Sequence, residues 1–227
     1  MQIGLNWSIY MKHVVITAAS RTPVGSFNGA FSKVPAQDLG ATAIKKAVKQ
    51  SNIEPAEVSE TILGQVLNAG QGQNPARQAH IQANLSVHSP AWSVNQVCGS
   101  GLRAVAIGSQ HILLGDADIV VAGGQESMSL SPHLAHIRSG QKMGNFHFID
   151  SMIKDGLWDA FNGYHMGVTA ENVAQKWQIS RREQDIFAQK SQEKAQRAQT
   201  DGKFFDEIAP VELKSHGKIM TVDKDEY

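Results

Sequence analysis

The sequence predicts an α/β fold, a mostly parallel sheet with helices on both faces, and three observations carry that prediction. Strand-like and helix-like runs alternate four times before Gly123, the pattern of a chain that winds through parallel strands by helical crossovers. The strand-like runs are short and apolar, as strands buried on both faces are. The composition, 41% hydrophobic and 19% charged with 20 glycines in 227 residues, is that of a globular chain long enough to bury a sizeable core.

In chain order, His13 to Ala18 is β-branched and apolar and predicts a buried first strand of the parallel type. Ser20 to Pro35 is a loop rich in Gly, Pro and Ser. From Asp38 to Ser51, Leu39, Ala43, Ile44, Ala47 and Val48 recur at helical spacing, and Asn52 and Pro55 end the helix. Thr61 to Leu67 predicts the second strand. Asn74-Pro75 places a capping residue before a proline at the first helical position and opens a helix to about Asn84. The third strand reaches Cys98, and Ser100 to Leu114 is a helix apolar nearly all round, which places it between layers rather than at the surface. Asp118 to Ala122 predicts the fourth strand. Further on, a helix is expected at Thr169 to Trp177. Another runs from the capping box Ser180-Arg181-Arg182-Glu183 to Asp201-Gly202 and reads as surface structure, and Ile208 to Leu213 and Ile219 to Val222 are short strands.

Lys plus Arg equals Asp plus Glu at 21 each, so no overall field attracts nucleic acid or an anionic membrane, and neither partner is expected. No apolar run approaches the roughly 18 residues of a membrane span, and the first ten residues lack the charge and length of a secretory signal. The single cysteine permits no internal disulfide, which agrees with a reducing compartment, and a cytoplasmic location is expected. The histidines are scattered without metal-ligand pairing, and no phosphate-binding glycine loop is present, so neither a metal nor a nucleotide cofactor is expected.

That cysteine, Cys98, stands at the strand-to-helix junction of Ser93-Val94-Asn95-Gln96-Val97-Cys98-Gly99-Ser100-Gly101-Leu102-Arg103-Ala104. A helix N-terminus offers unpaired N–H groups and the positive end of the dipole, which favour the nucleophilic thiolate. The competing reading is that a lone cysteine is a small buried hydrophobe kept for packing. Two nucleophile patterns fail by spelling. Gln96 occupies the first glycine of the hydrolase elbow. Gly101 and Leu102 stand where the papain-like pattern has a second cysteine and an aromatic residue.

Asn95-Gln96-Val97-Cys98-Gly99-Ser100-Gly101-Leu102-Arg103-Ala104 resembles the nucleophile segment of the thiolases, the acyl-CoA condensing enzymes. Arg21-Thr22-Pro23-Val24-Gly25, Gln73 to Gln78, Gly123-Gly124-Gln125-Glu126-Ser127-Met128-Ser129 and Tyr164-His165-Met166-Gly167 look like the same family, and the last spelling looks like its short-chain, acetoacetyl-CoA type. The likeness runs from about Val14 to the end. It implies a thiolase-like layered fold, with residues 1-10 a non-family extension, 11-127 the N-terminal core domain without its last helix and strand, and 128-227 part of the inserted loop domain.

The resemblance also implies the chemistry. Cys98 would take an acetyl group from acetyl-CoA and pass it to a second acetyl-CoA, giving acetoacetyl-CoA and CoA, and the reverse. His165, Met166 and Leu157 would line a small acyl pocket, although by themselves they read as a hydrogen-bonded core histidine and ordinary packing. Coenzyme A thioesters would be substrates, with no separate cofactor. The loop from Glu126 to Asp150, which holds Arg138, Lys142, His133, His136 and His147 and no acidic residue between its ends, would help build a homotetramer and face CoA phosphates; by composition alone it is a solvated loop. The family's Gly-His-Pro, Cys-x-Gly and Asn-Glu-Ala-Phe motifs do not occur in this sequence, so the chain alone is expected to be a poor enzyme, or else a non-catalytic assembly module. Ketoacyl-synthase relatives share a cysteine at such a junction, but the Asn95 to Ala104 and Tyr164 to Gly167 spellings favour thiolase.

Overall fold

A computed structural model describes residues 13–215 and 217–226. The expected extension at residues 1-10 lies outside the described residues. At the centre is a three-stranded parallel sheet in the order β2-β1-β3, formed by β1 (Glu60–Gly64), β2 (Ala91–Val94) and β3 (Val120–Gly124). Helices α1 (Ala36–Gln50), α2 (Pro75–Gln82) and α3 (Ser100–Leu114) alternate with the strands as the pattern predicts.

Side-chain alternation assigns the helices to opposite faces. Leu63 of β1 and Val121 of β3 join Ala41, Ile44 and Val48 of α1, Ala76 and Ala79 of α2 and its C-cap Ala83 in one apolar cluster. On the other face, a Cβ on Gly64 would lie 2.4 Å from the carbonyl carbon of Ser100, and one on Gly108 would lie 2.9 Å from a Val120 methyl. Glycine at these two positions lets α3 lie directly on the sheet. Glu60 ties the same face together, accepting from Trp92 Nε1 at 2.5 Å and meeting His111 Nδ1 at 2.6 Å.

The first strand expected from the sequence is not formed. Residues 13–18 take no ladder hydrogen bonds among the described residues, and Val15 and Ile16 are 71% and 78% exposed. A cavity of about 330 Å³ separates Val14 to Ala18 from β3, with Val105, Gly108 and Ile112 of α3 on its wall. A strand is defined by its neighbour, and across this cavity there is none. A second expectation also needs correction: α3 is not enclosed on all sides, because Leu102 and Leu114 are 78% and 77% exposed while Ala104 is fully buried. One face packs on the sheet and the other is open. The second strand ends at Gly64 and the third at Val94, short of the expected Leu67 and Cys98, because the chain turns away at the sheet edge to build loops.

Beyond β3, two short strands, β4 (His133–Leu134) and β5 (Ile149–Asp150), pair antiparallel and lead into a π-helical turn, Met152–Leu157. Helices α4 (Met166–Lys176) and α5 (Arg181–Thr200) follow, the second opened by the expected Ser180 and Glu183 capping box. Strands β6 (Val211–Ser215) and β7 (Lys218–Val222) form an antiparallel hairpin. No helix among the described residues is long and apolar enough to cross a membrane.

Candidate functional site

In an open parallel sheet, the loops leaving the carboxyl ends of the strands gather into a crevice, and ligands bind there. The register places Gly64 beside Val94 on one side and Gly124 on the other, so all three strands end level. The segments they emit, Gly64 to Leu67, Val97 and Cys98, and Gly124 to Glu126 with Met128, line a cavity of about 430 Å³ together with Met152, Gly156 and Leu157 of the π-helical turn.

Cys98 is exposed, and no hydrogen bond to its sulfur occurs among the described residues. The turn that presents it is tightly held. Val97 has φ +49°, its N–H donates to Asn95 Oδ1 at 2.9 Å, and the Gly99 N–H donates to the Gln96 carbonyl at 3.1 Å. No side chain caps α3. The partial positive charge of its first turn is therefore available to an anionic sulfur or oxygen nearby, and Ser100 and Gly101 of that turn line the cavity.

The lining also carries the polar side chains of Gln125 and Glu126. Glu126 accepts from the backbone N–H groups of Val66 at 2.9 Å and Leu67 at 3.3 Å, locking the loop after β1 to the loop after β3. Burial raises its pKa above the ordinary carboxylate range, against the pull of the N–H groups of Val66, Leu67 and Ser127. Behind it, buried Gln125 donates to Gln65 Oε1 at 2.9 Å, and Gln65 donates to Gln71 Oε1 at 2.7 Å. Gly40 of α1 leaves room for this side chain, since a Cβ there would stand 2.1 Å from Gln125 Oε1.

Of the residues singled out from sequence, the cavity brings together Cys98 and Leu157. His165 and Met166 are placed outside its lining. His165 is the N-cap of α4, its Nδ1 accepting from the Gly167 N–H at 3.0 Å, and its backbone bridges to Trp158; Met166 is 37% exposed. The sequence reading assigned no place to Gln125, Glu126, Met128 or Met152. The first three lie in the Gly123 to Ser129 segment already noted, and only the shared register of β1 and β3 puts them beside Cys98. No group of three or more His, Cys, Asp or Glu residues that could hold a metal ion occurs among the described residues.

Residues 14–227 match the family model for the thiolase N-terminal domain. The chain is 64% identical over 217 residues to an acetyl-CoA acetyltransferase of Paracoccus denitrificans, covering 96% of this chain and 56% of that one. It is 59% identical over 214 residues to the Rhizobium meliloti protein of the same name, covering 94% and 54%. A cytosolic acetyl-CoA acetyltransferase of Rattus norvegicus is 54% identical over 214 residues, again 94% and 54% of the two chains. The chain thus spans about half the length of the curated relatives it matches.

Proposed function

We propose, on the ground that this chain belongs to the thiolase family, that it carries the acylation half of an acetyl-CoA C-acetyltransferase, with Cys98 as the nucleophile. The observation that supports this best is the placement of Cys98, at an uncapped helix start and inside a cavity formed by the carboxyl ends of three parallel strands. Cys98 Sγ, as thiolate, attacks the carbonyl carbon of acetyl-CoA. The carbon–sulfur bond to CoA breaks, CoA leaves as a thiol after gaining a proton, and an acetyl thioester remains on Cys98. A second acetyl-CoA, deprotonated at its α-carbon, attacks that thioester; acetoacetyl-CoA forms and the Cys98 thiolate is released. Splitting one acyl transfer into two lowers each barrier. The thioester itself supplies the activation, so no further cofactor is needed.

Leu157, Met128 and Met152 set an apolar wall that suits a short acyl group. His165 and Met166 take part in this reading only if the segment after Trp158 closes towards the cavity when substrate binds. Assembly as a tetramer through residues 128-227, division into a core over 11-127 and that loop domain, and a cytoplasmic location like that named for the rat relative complete the proposal.

The test is the intact mass of the denatured chain after incubation with acetyl-CoA, beside Cys98→Ala. One acetyl group on the unsubstituted chain and none on the variant is the expected result. An adduct that persists in Cys98→Ala overturns the assignment of Cys98. Absence of any adduct means this chain does not assemble the acylation site unaided.

A further inference from the structure

We propose that Ser100 is a positioning residue, its buried hydroxyl clasping the strained turn at Val97 and so fixing where the Cys98 sulfur stands; this rests on the reading of Cys98 as nucleophile. Val97 is the one β-branched residue among the described non-glycine residues with positive φ, the others being Asn28, Asn52, Asn74, Asn84 and Gln178. Asparagine visits that region readily, but a β-branched side chain collides there with its own backbone. Such a conformation survives only where the surroundings over-determine it.

Those surroundings centre on Ser100. Its Oγ accepts from the Gln96 N–H at 2.8 Å and donates to the Val97 carbonyl at 2.6 Å, and its own N–H reaches the same carbonyl at 3.1 Å. The hydroxyl thus closes a ring across the residues on either side of the strained bond. Ser100 is itself only 3% exposed and cannot drift, because its backbone sits against Gly64 of β1, where a Cβ would lie 2.4 Å from the Ser100 carbonyl carbon. The clasp therefore refers the position of Cys98 to the sheet. Without the hydroxyl, the Gln96 N–H loses its acceptor, Val97 relaxes towards negative φ, and the next residue in the chain, Cys98, moves with it.

The test compares the unsubstituted chain with Ser100→Ala, Val97→Gly and the double variant. Glycine adopts positive φ without the steric cost, so it holds the turn without a clasp. Single-turnover acetylation of Cys98 is followed by intact mass across acetyl-CoA concentrations. A misplaced nucleophile slows reaction without weakening binding, so Ser100→Ala is expected to lower the maximal rate about tenfold while the half-saturating acetyl-CoA concentration stays within about twofold. The double variant is expected to recover most of that rate. The clasp is overturned if Ser100→Ala keeps the rate, or if its loss carries over in full to the double variant. Should Ser100→Ala fail to fold, a folded double variant supports the clasp, and an unfolded one assigns Ser100 to general packing and overturns it. If the unsubstituted chain takes no acetyl group, this chain does not assemble the acylation site unaided, and hydrogen exchange decides the clasp. Faster exchange of the Gln96 amide in Ser100→Ala, with the Ala104 amide unchanged, supports it; unchanged exchange at Gln96 overturns it.

Discussion

His80 carries the clearest single-residue prediction. It is fully buried in α2, with Nε2 2.8 Å from the Ser86 carbonyl and Nδ1 2.8 Å from Thr61 Oγ1. A carbonyl only accepts, so Nε2 bears the hydrogen and Nδ1 accepts from the threonine hydroxyl. Burial lowers the pKa of the ring, and the nearby Arg77 charge adds to that, against the opposing effect of the Ser86 carbonyl. The folded pKa is depressed, so the unfolded chain takes up the proton first and stability is lost as pH falls below the ordinary histidine value of 6.5. His80→Gln keeps one donor and one acceptor but never charges. It is expected to cost about 1 kcal/mol at pH 8 and to flatten the decline of the urea midpoint in acid; an unchanged decline would show that other groups cause it. His80 also marks the limit of legibility at this scale. The place of Cys98 could be read from the sequence because the helix start and the cysteine before it are local. The polar set of His80, Gln65, Gln125 and Glu126 could not, because each has a hydrogen-bond partner 19 or more residues away in the chain, as Gln125 with Gln65 and Glu126 with Val66 do. Leu157 lines the same cavity as Cys98, whereas His165 caps α4 outside it.

At the scale of elements, the caps were legible because capping is a contact within one turn. Asn74 accepts from the Arg77 N–H ahead of α2, and Ser180 and Glu183 close their box at α5. What holds elements to one another was not. Arg21, noted only as part of a motif, bonds Asp225 with Nη1 at 2.6 Å and Nη2 at 2.9 Å, and Glu207 with Nε at 2.6 Å, while its guanidinium lies 4.9 Å from the Phe204 ring. Asp225 also accepts from the Val24 N–H at 2.7 Å, and Glu226 accepts from the Ser26 N–H at 2.6 Å. These bonds fasten both ends of the β6–β7 hairpin to the loop before α1. The Arg21 hydrogen bond draws the Asp225 pKa below the ordinary aspartate value of 3.8, against the effect of partial burial. The depressed folded pKa means that this stabilisation is present above pH 3.8 and is lost as pH falls below it. Asp225→Asn, which breaks the bidentate pair, is expected to cost about 2 kcal/mol at neutral pH, or roughly 4–8 °C in Tm. It should also speed proteolytic cleavage within residues 209–226. A melting curve that overlays that of the unsubstituted chain would assign the network to the surface, where ion pairs contribute little.

At the scale of the whole molecule, the parallel winding was legible from alternation, but the number of strands that pair was not, since pairing depends on what lies alongside. Residues 13–18 have the composition of a buried strand and stand apart from β3 across the cavity of about 330 Å³. Among the described residues β3 pairs only with β1, so the edge facing that cavity is open. An unpaired strand edge is a template for another strand, and adjacent strands sit about 4.8 Å apart. A single inserted strand would therefore give both β3 and residues 13–18 the neighbour each lacks. It would also bring more structure towards the open face of α3, where Leu102, Leu113 and Leu114 are 78%, 51% and 77% exposed. The relatives hold nearly half their length beyond the region matched here, and that remainder is the source we predict for the strand. When the unmatched C-terminal portion of the Paracoccus denitrificans relative is co-expressed with this chain, the two should co-purify. Hydrogen exchange should then slow at residues 14–18 and 120–124, and Leu102 should lose exposure to apolar dye. Protection confined to α3 would mean that the second half covers the helix and leaves the sheet as it is. Co-purification with neither change would place the contact on α4 and α5, and the gap beside β3 would then belong to the fold itself.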